Sequence, residues 1–224
     1  MNNPNISIHQ LTFTALLALV WLFSGSFKIW KIVLSALLMP LLAFTGNGFF
    51  LAAAFAAFSS LMFFKNHSPQ RFWWLAPIGS AGLALVAYLQ TANYKALDCA
   101  GIPMETPIYY LSFVKGLVLN GLVISYPGGF FKWWLFVVLI LLGSWVTFRI
   151  LRYARQAKEM VPLLIVGYVV LFFAATLMGR WCYGPLITES SRYLPQAALA
   201  FMAFGLFNPG IKTWRTAAWG FFSL

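Results

Sequence analysis

Residues 32–64 read IVLSALLMPLLAFTGNGFFLAAAFAAFSSLMFF, without one charged side chain. A helix needs about 20 apolar residues to cross the hydrocarbon core of a bilayer, so this run is too long for a single crossing. Its middle holds Thr45-Gly46-Asn47-Gly48, and two glycines around an asparagine favour a turn over a continuous helix. The run therefore reads as two short membrane helices, 32–45 and 48–64, joined by a tight turn. A single long, tilted helix is the alternative, and it would invert the topology of everything upstream.

Outward from this stretch the pattern repeats. The chain has 224 residues, 62% of them hydrophobic and 8% charged, with a mean hydropathy of +0.82. Soluble domains carry about 25% charged residues, so a water-facing surface cannot be built from this composition. The apolar runs are unbroken rather than alternating, which excludes an outer-membrane barrel. The expected fold class is all-α: a polytopic integral membrane protein with about seven transmembrane helices and one extra interfacial or re-entrant segment. The expected spans are 11–27, 32–45, 48–64, 73–90, 131–148, 161–178 and 194–208, in a single membrane domain over residues 1–224. The first ten residues, MNNPNISIHQ, carry no Lys or Arg, so the first run reads as a retained helix rather than a signal peptide. Between residues 91 and 130 the pattern weakens into an outer loop region with Asp98, Pro103, Glu105 and Pro107. Residues 110–125 within it are apolar but contain Lys115 and Asn120, which suits a helix at the interface or a re-entrant segment.

The net charge is +11. A nucleic-acid binder concentrates its basic residues on one soluble face. Here they are dispersed between apolar segments, so no nucleic-acid partner is expected and membrane lipids are the expected contact. Lys28 and Lys31, Lys65 and Arg71, the cluster Arg149, Arg152, Arg155 and Lys158, and Lys212 with Arg215 fall on one side of a seven-crossing topology. They are ten of the 15 basic residues, and the positive-inside bias makes that side cytoplasmic. The N-terminus is then outside and the C-terminus cytoplasmic. Most of the ten tryptophans, Trp30, Trp73, Trp74, Trp133, Trp134 and Trp181 among them, lie near expected boundaries, as an aromatic belt does.

The most polar patch next to an apolar run is Gly179–Tyr193, GRWCYGPLITESSRY. Arginine at the mouth of a helix bundle is costly unless it meets a partner, and two guanidinium forks on one loop can grip a phosphate. Arg180 and Arg192 are thus candidate anion-binding residues, with Glu189, Ser190, Ser191, Tyr193, Asp98 and Glu105 as supporting candidates. The alternative is that Glu189 pairs with one arginine while the other snorkels to headgroups, and that Asp98 and Glu105 solvate a loop. Ser190 and Ser191 lack an adjacent base for nucleophilic catalysis, since the histidines are His9 and His67. Cys99 and Cys182 both fall in outer-face loops, where a disulfide between them is compatible with an oxidising compartment; two free thiols are the alternative. Scattered Cys and His give no metal-ligand spacing, and the chain holds no dinucleotide fingerprint or phosphate-binding Gly loop. No metal and no cofactor is expected.

Gly179-Arg180, then Ser190-Ser191-Arg192-Tyr193, then an apolar helix resembles the C-terminal part of large bacterial polytopic glycosyltransferases of the GT-C kind. The resemblance covers about fifteen residues and a hydropathy rhythm. It implies an outer-face site that meets a polyprenyl-phosphate-linked sugar. The GT-C enzymes carry an essential acid in an early outer loop, whereas MNNPNISIHQ and TGNG contain none. The resemblance thus implies a shortened relative that binds the lipid-linked glycan, or that completes a site with a membrane partner subunit. The expected function is an inner-membrane, glycosyltransferase-like protein acting on or binding a lipid-linked glycan in envelope polysaccharide assembly. A non-enzymatic assembly subunit, or a small transporter or flippase component, is the alternative.

Overall fold

The computed structural model describes residues 4–24, 28–43, 48–91, 106–120, 129–154, 156–184 and 194–206. Among these, regular structure is helical throughout: α1 (Pro4–Ser24), α2 (Ile29–Ala43), α3 (Gly48–Lys65), a 3-10 helix (Pro69–Trp74), α4 (Leu75–Thr91), α5 (Pro107–Asn120), α6 (Gly129–Tyr153), α7 (Ala157–Arg180), a 3-10 turn (Trp181–Tyr183) and α8 (Leu194–Leu206). Three stretches are long and apolar enough to cross a membrane: Gly48–Lys65, Phe130–Tyr153 and Ala157–Tyr183. Thr14–Phe23, Ile29–Leu42 and Pro107–Leu119 are shorter apolar helices. The surface agrees with a lipid surround. The apolar window of α6 is 11% buried, and Phe130, Trp134, Leu141, Trp145 and Phe148 stand exposed along it. Water does not tolerate an apolar patch on that scale on a lone soluble domain.

The run at 32–64 is two helices. α2 ends at Ala43, α3 begins at Gly48, and the two pack on each other, which one continuous helix cannot do. Residues 44–47, the expected turn, lie outside the described residues. The 73–90 segment differs in its first turn. Pro69 opens a 3-10 helix that carries the chain to Trp74 before the α-helix starts at Leu75. Pro77 then sits in the first turn of α4, where a missing N–H leaves no intrahelical bond unmade.

By backbone contacts the chain forms two compact units. The first comprises residues 1–93 and 153–171, hence α1 to α4 and the first part of α7. In it α2, α3 and α4 pack mutually and α1 lies on α2 and α3. Its centre is aromatic: Phe23, Phe55, Phe58 and Trp74 are buried, with centroid separations of 5.5 Å for Phe23–Phe55 and 5.6 Å for Phe23–Trp74. Lysines close helix ends. Lys31 Nζ donates to the carbonyl of Leu22 at 2.6 Å, in the last turn of α1, and Lys65 Nζ donates to the Ala154 carbonyl at 2.9 Å. Carbonyls at a helix C-terminus have no intrahelical donor, and a cation there also meets the negative end of the dipole.

A subtler repair sits inside α2. Pro40 lies within that helix and has no N–H to bond the carbonyl of Ala36, one turn earlier. Ser80 of α4 donates its hydroxyl to that same Ala36 carbonyl. A neighbouring helix thus satisfies the acceptor that proline orphans, the device by which apolar bundles tolerate proline. Ser80→Ala should lower unfolding free energy by about 1–3 kcal/mol, the cost of a buried acceptor left unsatisfied. The check is the unfolding midpoint of the purified protein in micelles, and an unchanged midpoint would refute this role.

The second unit comprises residues 94–152 and 172–224, hence α5, α6, the last part of α7 and α8. Within it α5 packs on α8. α5 has 14 residues and is about 21 Å long at 1.5 Å per residue, too short to cross a hydrocarbon core of about 30 Å unaided.

Candidate anion-binding site

Arg180 ends α7, half-buried, at the helix terminus whose dipole favours a cation. The chain then turns through Trp181–Tyr183 onto Gly184, whose φ of 84° and ψ of 162° fall in a region open essentially to glycine. Helix α5 holds this turn. The Tyr109 hydroxyl donates to the Trp181 carbonyl at 2.6 Å. The Tyr110 ring meets the buried Trp181 indole edge-on, with centroids 5.7 Å apart. Cys182, in the middle of the turn, is disulfide-bonded. The chain's other cysteine, Cys99, lies outside the described residues. Arg180 is therefore carried by a segment fixed at three successive points rather than by a loose loop.

Further along α5, Lys115 Nζ stands 4.1 Å from the centroid of the Trp133 ring, next to Lys132 in the first turn of α6. Burial first, and repulsion from the Lys132 ammonium second, push Lys115 below the usual lysine range; α5 is not one of the three membrane-length helices. Lys115 lies six residues beyond Tyr109, about 9 Å along the axis. The end of α7 and the start of α6 are therefore both gathered against α5. Arg149, near the other end of α6, is about 25 Å from Lys132 along that helix.

The described residues of this unit include Lys115, Lys132, Arg149, Arg152 and Arg180 and not one carboxylate. Among all described residues the carboxylate is Glu159, whose Oε2 accepts the Gln156 N–H at 3.2 Å. Of the residues singled out in the sequence, Arg180 and Cys182 are described; Arg192, Glu189, Ser190, Ser191, Tyr193, Asp98 and Glu105 lie outside the described residues. His67 is exposed beyond the end of α3. Among the described residues, no three His, Cys, Asp or Glu converge. Sequence reading missed the tyrosine hold on Trp181 and the seating of Lys115 on Trp133. Their signals were the adjacent pairs Tyr109-Tyr110 and Lys132-Trp133, but nothing in spacing says which partner each one meets.

Compared with known proteins, the chain matches no family model, no curated protein and no solved structure.

Proposed function

We propose that this protein sits in a bacterial cytoplasmic membrane and binds the phosphate of a polyprenyl-linked glycan during envelope polysaccharide assembly. In this reading it crosses the membrane about seven times, with its N-terminus outside and Arg180 and Arg192 on the outer face. One observation supports it above the rest. Arg180 ends a membrane-length helix on a turn held by Tyr109, by Tyr110 and by the Cys182 disulfide. That hold keeps its guanidinium in one place, and a planar fork suits a phosphate.

The test is native mass spectrometry of the full chain in detergent, offered polyprenyl phosphate and the uncharged polyprenol of equal length. Wild type should retain the phosphate form selectively. Arg180→Ala should weaken retention by about 10- to 100-fold, the range expected for one hydrogen bond to a charged group. Equal retention of phosphate and alcohol by wild type, or an Arg180→Ala variant that binds as wild type does, would sink the reading.

A further inference from the structure

The connector between α3 and α4 turns a cation and two large rings outward on a fixed frame. A 3-10 helix has about three residues per turn, so residues 72, 73 and 74 point to three different sides. Trp74 takes the inner side: it is fully buried, with its ring 5.6 Å from Phe23 and 5.7 Å from Phe58. Phe72 and Trp73 are left on the outer sides and are exposed, as is Phe64 in the last turn of α3. Arg71 stands against this aromatic surface. Its guanidinium lies over the Phe72 ring at 5.1 Å and over the Phe63 ring at 5.6 Å from the centroids. The two rings are 6.0 Å apart, edge to face.

Two rings under one guanidinium fix where the charge sits and leave its N–H groups for another partner. Residues 1–93 contain no Asp or Glu, and the acid in the rest of this unit is Glu159, whose Oε2 accepts the Gln156 N–H. Lys65 is engaged, since its Nζ donates to the Ala154 carbonyl. Among the described residues, none accepts a hydrogen bond from the Arg71 guanidinium. α3 is long and apolar enough to cross a membrane, so the chain leaving its end emerges at headgroup level. Aromatic rings favour that level, and anionic lipid attracts arginine there. Exposed rings gathered in one patch mark a contact surface.

We propose that Arg71, laid over Phe63 and Phe72, is a seat for the headgroup phosphate of an anionic phospholipid. A guanidinium stacks on aromatic faces and still presents its planar fork to two phosphate oxygens, which a lysine ammonium does not do. The exposed rings of Phe64, Phe72 and Trp73 then meet the acyl chains below the phosphate, so one lipid covers both halves of the patch. An arginine that only solvates the connector or snorkels to bulk headgroups would show no lipid preference and no dependence on the rings. The seat draws on none of the Arg180 geometry.

The experiment is native mass spectrometry of the full chain in detergent, offered phosphatidylglycerol and phosphatidylcholine with the same acyl chains. Both carry the phosphodiester, but in phosphatidylcholine a choline cation competes with Arg71 for it. Elution volume and thermal midpoint serve as fold controls. Wild type should retain phosphatidylglycerol preferentially. Arg71→Gln should weaken that retention by about tenfold, as expected for a lost hydrogen bond to a charged group. Phe72→Leu, which keeps the charge and removes one ring, should weaken it by about threefold. Lys158→Gln, which removes an exposed cation of the same unit, should match wild type. Equal retention of the two lipids by wild type overturns the seat, as does an Arg71→Gln variant that holds phosphatidylglycerol like wild type. A loss in Lys158→Gln equal to that in Arg71→Gln would reveal diffuse attraction of cations to anionic lipid. A Phe72→Leu variant indistinguishable from wild type would reveal a charge that binds without its rings. Either result also overturns it.

Discussion

Replacing Trp181 with alanine should expose the Arg180–Trp181 peptide bond to trypsin far faster than in wild type. Trp181 is 8% exposed, and its ring is the apolar body that seats the turn after α7 on Tyr110 of α5. Truncating a buried Trp costs about 3–5 kcal/mol where the site cannot collapse. The bond from the Tyr109 hydroxyl to the Trp181 carbonyl, worth about 1 kcal/mol, and the Cys182 disulfide remain, so the turn loses its packed anchor and keeps its tethers. Cleavage of a transiently open segment follows its open population, and each 1.4 kcal/mol changes that population about tenfold. Cleavage after Arg180 should therefore rise well beyond about tenfold in Trp181→Ala. Trp181→Phe, which keeps an aromatic edge for Tyr110, should stay close to wild type. Proteolysis in micelles with peptide mapping reads this directly, and equal rates for alanine and wild type would show that the turn is held by something other than the indole. The consequence for binding is positional: Arg180 keeps its charge in Trp181→Ala but loses the segment that aims it.

The second large effect lies in the first unit. Phe58 is 2% exposed and touches three rings: Phe55 stacked at 5.8 Å, Trp74 edge-on at 5.7 Å and Phe23 edge-on at 5.9 Å. Phe58→Ala should cost about 2–4 kcal/mol, the lower part of the range for large-to-small core changes. It falls low in that range because the hydrophobic effect does little between helices in lipid, so the cavity and lost dispersion remain while the transfer from water shrinks. Phe58→Leu should cost about 1 kcal/mol, since its volume changes less. Unfolding of the purified variants in micelles measures both. A Phe58→Ala midpoint equal to wild type would mean that the four rings are neighbours without being the centre that holds α1, α3 and the 3-10 helix together.

Helix positions were legible because hydropathy acts locally. α2 ends at Ala43 and α3 begins at Gly48, on either side of the glycine-containing stretch, Lys65 and Arg71 bracket the connector after α3, and Pro127-Gly128 precedes α6 in the sequence. Helix ends were less legible. α1 starts at Pro4 rather than at the first strongly apolar residue, because proline is well suited to a first helical position whatever the hydropathy of the turn. The segment after Lys65 begins as a 3-10 helix because Pro69 starts it early. Of the candidate site, Arg180 was visible as a guanidinium at the end of an apolar run. Its surroundings were not.

By itself the sequence determined the chemical class of this protein: helical, lipid-facing, cationic, and broken into helices at its glycines, prolines and lysines. Those properties follow from composition and from residues a few positions apart, which is the range over which hydropathy and backbone propensity operate. The tertiary structure alone decided which distant groups complete one another. Ser80 answers the carbonyl that Pro40 orphans at Ala36, 44 residues away. Tyr109 reaches Trp181 across 72 residues, and Lys115 finds the face of Trp133. Such pairings depend on how helices pack, and helix packing is set by side-chain shape along whole faces rather than by any short spacing in the chain.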